Sequence, residues 1–253
     1  MANDFFKSSN PTLSEKTFDQ FNNQVILNPA ERMTIDGTVN KTALLLVLLV
    51  ASASVTWYLG SINLALAMPF MMVGLFGGLI SAIVIAFKPK WVGYLAPTYA
   101  ILEGLFLGGI SLFFAGMYNG IVLQAVGITI SVAGSLLFLY KTGMVVVDQQ
   151  FRTAITTATM AIFAVYLISM VLSFFGTTIP YIHQGGVIGI LFSLFVVGIA
   201  AANLLLDFDF IEKGAESGAP KYMEWYGAFA LMVTLVWLYL EILKLLAKLR
   251  GRD

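Results

Sequence analysis

The chain has 253 residues, of which 59% are hydrophobic and 11% charged, with 14 basic residues balancing 14 acidic ones. A water-soluble domain carries about 25% charged residues, so part of this chain's solvent is lipid, and the lack of a basic patch excludes a nucleic-acid partner. The absence of cysteine rules out disulfides, thiolate metal sites and cysteine nucleophiles.

Residues 1–41 are polar, carry five acids and have no apolar h-region, so no cleavable signal peptide is read there. Two readings of this stretch stand. It is a mobile tail, or Phe5, Phe6, Phe18 and Phe21 lay part of it on a membrane surface.

Seven apolar runs follow, at Thr42–Gly60, Leu64–Phe87, Val92–Tyr118, Ile121–Tyr140, Thr153–Phe175, Gly186–Asp209 and Met223–Leu246. Each is near the roughly 20 residues a helix needs to cross about 30 Å of hydrocarbon. They lack the ten-residue alternation of barrel strands, and a backbone in lipid must satisfy its own hydrogen bonds, which leaves helices. The connections are short, so sequential helices are antiparallel neighbours. The expected fold is an all-α integral membrane protein, a seven-transmembrane-helix bundle. A cytoplasmic tail is expected at 1–41, the transmembrane domain at 42–249 and a short C-terminal tail at 250–253. Gly74 with Gly78, Gly104 with Gly108 and Gly185 with Gly189 are spaced for close helix packing. Trp57, Tyr58, Trp91, Tyr94, Tyr118, Tyr140 and Tyr222 fall near span ends, where interface anchors belong.

Lys7, Lys16, Arg32 and Lys41 in the tail join Lys88, Lys90, Lys141, Arg152, Lys213 and Lys221 in the even connections, ten basic residues on one side. The positive-inside rule then places the N-terminus in the cytoplasm. Lys244, Lys248, Arg250 and Arg252 disagree, because seven crossings put them outside. Either they are outvoted, or the last segment does not cross fully.

Four acids lie in apolar surroundings. Glu103 is about ten residues, or roughly 15 Å, into the third span, near the midplane. It is either a protonated acid bonded to a neighbouring helix or a proton or cation station in a wet cavity. Asp207 and Asp209 close a run, Gly186 to Leu206, with no charge over 21 positions. They either end a helix or carry function. Two residues rotate a helix by roughly 200°, so they do not share a face; Asp207 is taken to point inward, with Asn203 four residues earlier on its face, and Asp209 can meet the interface. Glu241 is read either as functional or as an interfacial salt bridge with Lys244. Glu224 matches the depth of Asp207 and is placed in water.

Several enzyme classes fail. His183, the only histidine, lies in the fifth connection beside Pro180 and Gln184, so neither a histidine base within the bundle nor a histidine metal site can be built. No Gly-rich phosphate loop follows a strand. A non-enzymatic membrane protein without a cofactor is the expectation.

The stretches Tyr140-Lys-Thr-Gly-Met-Val-Val-Val-Asp-Gln-Gln-Phe-Arg152, Tyr99-Ala-Ile-Leu-Glu-Gly-Leu-Phe-Leu-Gly108 and Leu206-Asp-Phe-Asp-Phe-Ile-Glu212 together resemble the Bax inhibitor-1 / YccA-like family, in its bacterial branch with a longer N-terminal tail. The resemblance covers roughly residues 38–250. It implies a bacterial inner-membrane protein whose last helix is surrounded by the others. It also implies a pH-sensitive calcium leak gated by paired carboxylates on the sixth and seventh helices, with transient calcium at the site and calcium as the permeant ion. Asp207 stands at the sixth-helix position. On the seventh, loop length selects Thr234, whereas the Leu-Tyr-Leu-acid pattern selects Glu241; Glu103 is a further source of the second carboxylate. The competing expectations are a non-transporting regulator that binds a membrane protease or another partner, and a proton-coupled secondary transporter.

Overall fold

A computed structural model describes residues 29–176 and 186–251. His183, Pro180, Gln184, Gly185, Arg252 and the four phenylalanines of the tail lie outside the described residues. Seven α-helices account for nearly all of the described chain: α1 (Ile35–Ile62), α2 (Leu64–Phe87), α3 (Val92–Met117), α4 (Ile121–Lys141), α5 (Gln149–Phe174), α6 (Val187–Glu216) and α7 (Met223–Arg250). Every one is long and apolar enough to cross a membrane. Among the described residues the extended structure is confined to one isolated bridge, between Arg32 and Pro220.

The helix starts follow local chemistry that hydropathy does not register. α1 begins at Ile35 rather than Thr42, because the Thr34 hydroxyl accepts from Gly37 N at 3.0 Å and caps it. Its 28 residues span about 42 Å, so its first turns are polar. Asn63 alone forms the first connection: its amide donates to Leu59 O at 3.1 Å and its side chain accepts from Ala65 N at 3.0 Å. α5 starts at Gln149 rather than Thr153, since Asp148 accepts from Phe151 N at 2.7 Å. α6 continues to Glu216, well past Asp209, so the two aspartates lie inside the helix and do not end it. It stops where Gly218 turns into the left-handed region at φ 68°.

Two compact units divide the chain. The first holds α1, α2, α3 and Asp209–Val233, which is the end of α6, the connection after it and the start of α7. Here small residues set the spacing. Gly104 and Gly108 of α3 lie against the backbone of Leu49 and Ala53 in α1, and Gly74 of α2 lies against Leu102 and Phe106 of α3. The second unit holds α4, α5, the part of α6 up to Phe208 and α7 from Thr234. Val147, Ile155, Leu205 and Leu206 form a core there, flanked by Tyr140 and Phe208 with ring centroids 6.0 Å apart.

Burial separates the helices by role. Half of the apolar window of α7 is buried, against 11–33% for the other six, as expected for a last helix enclosed by its neighbours. Phe70, Phe76, Leu123, Phe138 and Phe163 are exposed on other helices. Apolar surface on that scale is tolerated where the surrounding medium is hydrocarbon. Both ends of α7 are anchored by hydrogen bonds. At its start, Lys221 N donates to Glu31 O at 2.7 Å, beside the segment that leads into α1. At its end, Arg250 donates to Asn119 O at 2.6 Å in the α3–α4 connection and to Gln124 at 2.7 Å.

Candidate intramembrane carboxylate site

Asp207 is 2% exposed and Thr234 4%. The Thr234 side chain hydrogen-bonds the Asp207 carboxyl, which brings α6 and α7 together through one acid and one hydroxyl. Oδ2 of Asp207 is buried and has no hydrogen-bond partner. An unpaired charge in an apolar interior costs several kcal/mol, and such a group neutralises or recruits water or a cation instead. Of the two registers the family resemblance left open, the loop-length one places its residue here: Thr234 faces Asp207.

Glu241 lies elsewhere. It is seven residues beyond Thr234, about 10 Å further along α7. Its Oε1 accepts from Tyr166 OH at 3.0 Å and from Lys244 Nζ at 2.9 Å, and Oε2 accepts from Tyr166 OH at 3.1 Å. Lys244 also sits 5.0 Å over the Tyr166 ring. This acid is held in the salt bridge read for it, with a tyrosine added and with its own side chain buried. Tyr166→Phe removes a donor to a charged group and is expected to destabilise the protein by about 1.5–3 kcal/mol, measured as a lowered thermal midpoint in detergent.

Asp209 belongs to the first unit and pairs with Lys213 Nζ at 2.7 Å. It is 4% exposed, so the expectation that it meets the interface is corrected: neighbouring elements cover both faces of this part of α6. Asn203 donates to Thr159 Oγ1 at 2.9 Å and to Ile199 O at 2.8 Å. Glu103 is half-buried in the first unit and is hydrogen-bonded by Tyr99. The Tyr99 ring stands edge-on to Phe229 at 5.0 Å. Gly78 of α2 leaves room for the Glu103 carboxyl, since a Cβ there would come within 3.2 Å of Oε2.

Glu224 is the acid the sequence misplaces. It is fully buried, with Thr34, Lys41 and Lys221 around it. Thr34 and Lys41 lie 190 and 183 residues away in the chain, so no local pattern announces them. Among the described residues no group of three or more acids or histidines is placed to hold a metal ion.

Seven helices, each long and apolar enough to cross a membrane, and carrying buried carboxylates, define a polytopic α-helical membrane protein. The chain belongs to the Bax inhibitor 1 like family, whose family model matches residues 6–251. No curated protein and no solved structure matches it.

Proposed function

We propose that this protein is a pH-sensitive cation leak pathway, with calcium as the permeant ion and Asp207 as the group whose protonation gates it. The supporting observation is the buried Asp207 carboxyl with one oxygen unpartnered and Thr234 as its neighbour on α7. In the protonated state the neutral carboxyl rests in its apolar surroundings and accepts from Thr234. Loss of the proton leaves an anion that this packing does not compensate. Water enters, α6 and α7 part, and a hard oxygen ligand faces the path. Calcium takes six to eight oxygens at a resident site; one carboxylate and one hydroxyl suit a passing ion that keeps most of its water. Glu103, bonded by Tyr99 within the first unit, is a separate candidate proton or cation station. The reading includes no catalytic step and no bound cofactor.

We place the protein in a bacterial inner membrane with the N-terminus in the cytoplasm, on the ten basic residues of the tail and even connections. The test is purified protein in liposomes loaded with a calcium dye, with flux recorded as pH rises through neutrality. Flux that rises with pH and levels off once deprotonation is complete, without dependence on an imposed gradient of a second ion, supports the leak; gradient-coupled uptake indicates a secondary transporter.

One observation favours a second reading, a membrane regulator that binds a partner such as a membrane protease. An open, mostly apolar groove runs along α5, lined by Gln149, Gln150, Thr153, Ala154, Thr157, Ala158 and Ala161, with alanine and threonine where lipid-facing residues are normally large. Deleting residues 1–28 separates the two readings: a regulator that recruits through its tail loses its partner, while a leak still conducts. The deletion stops before Pro29 because Glu31 and Met33 hydrogen-bond the α6–α7 connection.

A further inference from the structure

The segment before α1 is joined to the α6–α7 connection by backbone. Met33 N donates to Ala219 O and Lys221 N to Glu31 O, both at 2.7 Å, on either side of the antiparallel pair Arg32 and Pro220. That pair occupies the register in which neither residue bonds the other, so a proline without an N–H is no defect there. Behind this bridge lies the Glu224 carboxylate. Oε1 accepts from Thr34 N at 2.9 Å, from Thr34 Oγ1 at 2.7 Å and from Lys221 Nζ at 2.9 Å. Oε2 accepts from Lys41 Nζ, which also lies 5.4 Å over the Trp225 ring. A side chain at Gly37 would collide with this carboxylate, so the glycine admits it. Met33, 2% exposed, covers the same joint: Cβ atoms built at Gly214 and Gly227 would lie 3.0 and 3.5 Å from its side chain.

One carboxylate thus ties together the arm before α1, the first turns of α1, the connection and the first turn of α7. An apolar plug would stabilise this joint as well or better, since buried ion pairs contribute little net stability. What a buried charge with distant partners does well is specify one register or act as a switch. α7 carries Glu224 and, ten residues or about 15 Å on, Thr234. We propose that the arm Pro29–Thr34 and Glu224 form a releasable clasp that holds the α6–α7 connection, and that releasing it frees the N-terminal turns of α7. The effect on conduction rests on the leak reading above; the clasp itself does not.

The test uses the full chain, which is free of cysteine. Arg32→Cys with Pro220→Cys places the pair about 4.5 Å apart between Cα atoms, within the range a disulfide spans. Oxidation is expected to slow amide exchange at Met33 and Lys221 and to cut calcium flux by about tenfold, with both effects reversed on reduction. Glu224→Gln is expected to speed exchange at those amides, and through the first two turns of α7, by about tenfold or more. Should Glu224→Gln fail to fold, Lys221→Gln, at a half-exposed lysine, takes its place with the same expectation. Unchanged exchange in the first turns of α7 would overturn the clasp, and flux indifferent to the staple in a conducting protein would overturn its effect on conduction. If the unmutated protein conducts at no pH, the leak reading falls by itself, and the exchange data alone decide the clasp.

Discussion

Asp207→Asn in calcium-dye liposomes is expected to leave less than about twofold variation in flux between acidic and mildly alkaline pH, where the unmutated protein varies by about tenfold or more. The substitution keeps the size and shape of the side chain and can still accept from Thr234, so the contact between α6 and α7 survives. What it removes is the ability to exchange a proton for a negative charge. The amide stays neutral at every pH, and its oxygen is a poorer cation ligand than a carboxylate. The variant is therefore expected to sit near the low-flux level throughout. A pH profile identical to that of the unmutated protein would eliminate Asp207 as the gate. Glu241→Gln is the informative companion. That carboxylate is already engaged by Tyr166 and Lys244, so its loss is expected to lower stability and leave the pH profile in place.

The largest loss of stability is expected from Gly104→Leu, and again from Gly108→Leu. A Cβ at Gly104 would meet the Leu49 carbonyl and the Ser52 hydroxyl, and one at Gly108 would meet the Ala53 carbonyl. Leu49 and Ala53 present backbone there, which cannot step aside by changing rotamer, so α1 and α3 must separate along their whole contact. Overpacking typically costs 1–3 kcal/mol and occasionally more; with backbone on the receiving side, about 3 kcal/mol or more is expected for each leucine. The readout is thermal unfolding in detergent, followed by loss of the monodisperse species. Gly127→Ala and Gly134→Ala in α4 serve as controls, because a side chain at either meets nothing within 4 Å. There the removal of a helix glycine is expected to be neutral or to stabilise by up to about 1 kcal/mol. Equal losses at all four positions would mean that close approach is not what Gly104 and Gly108 supply.

Seven spans, their order and twelve of their fourteen ends were legible to within about four residues, because the cost of taking an unsatisfied backbone or a charge into hydrocarbon is paid locally and written in the local composition. Leu64–Phe87 is recovered without change. The misjudged boundaries have a common cause. α1 and α6 continue beyond their apolar runs, where capping by Thr34 and continued turns to Glu216 decide the ends, and hydropathy is silent on both. The paired glycines of α2 and α3 were legible as packing sites, but which helix each would meet was not.

The candidate acids were visible in the sequence because an isolated carboxylate in an apolar run stands out against its neighbours. Their partners were not, and the partners give each acid its character. Tyr166 and Lys244 make Glu241 a structural pair, Lys213 engages Asp209, and Thr34 with Lys41 draws Glu224 out of the water assigned to it. By itself the sequence determined that the chain lives in a membrane as seven helices, since each helix closes its own hydrogen bonds and declares its own hydropathy. Only the tertiary structure decided that Thr234 rather than Glu241 faces Asp207. Rotation and depth of one helix against another depend on side-chain packing summed over both, and no window of a single helix contains that information.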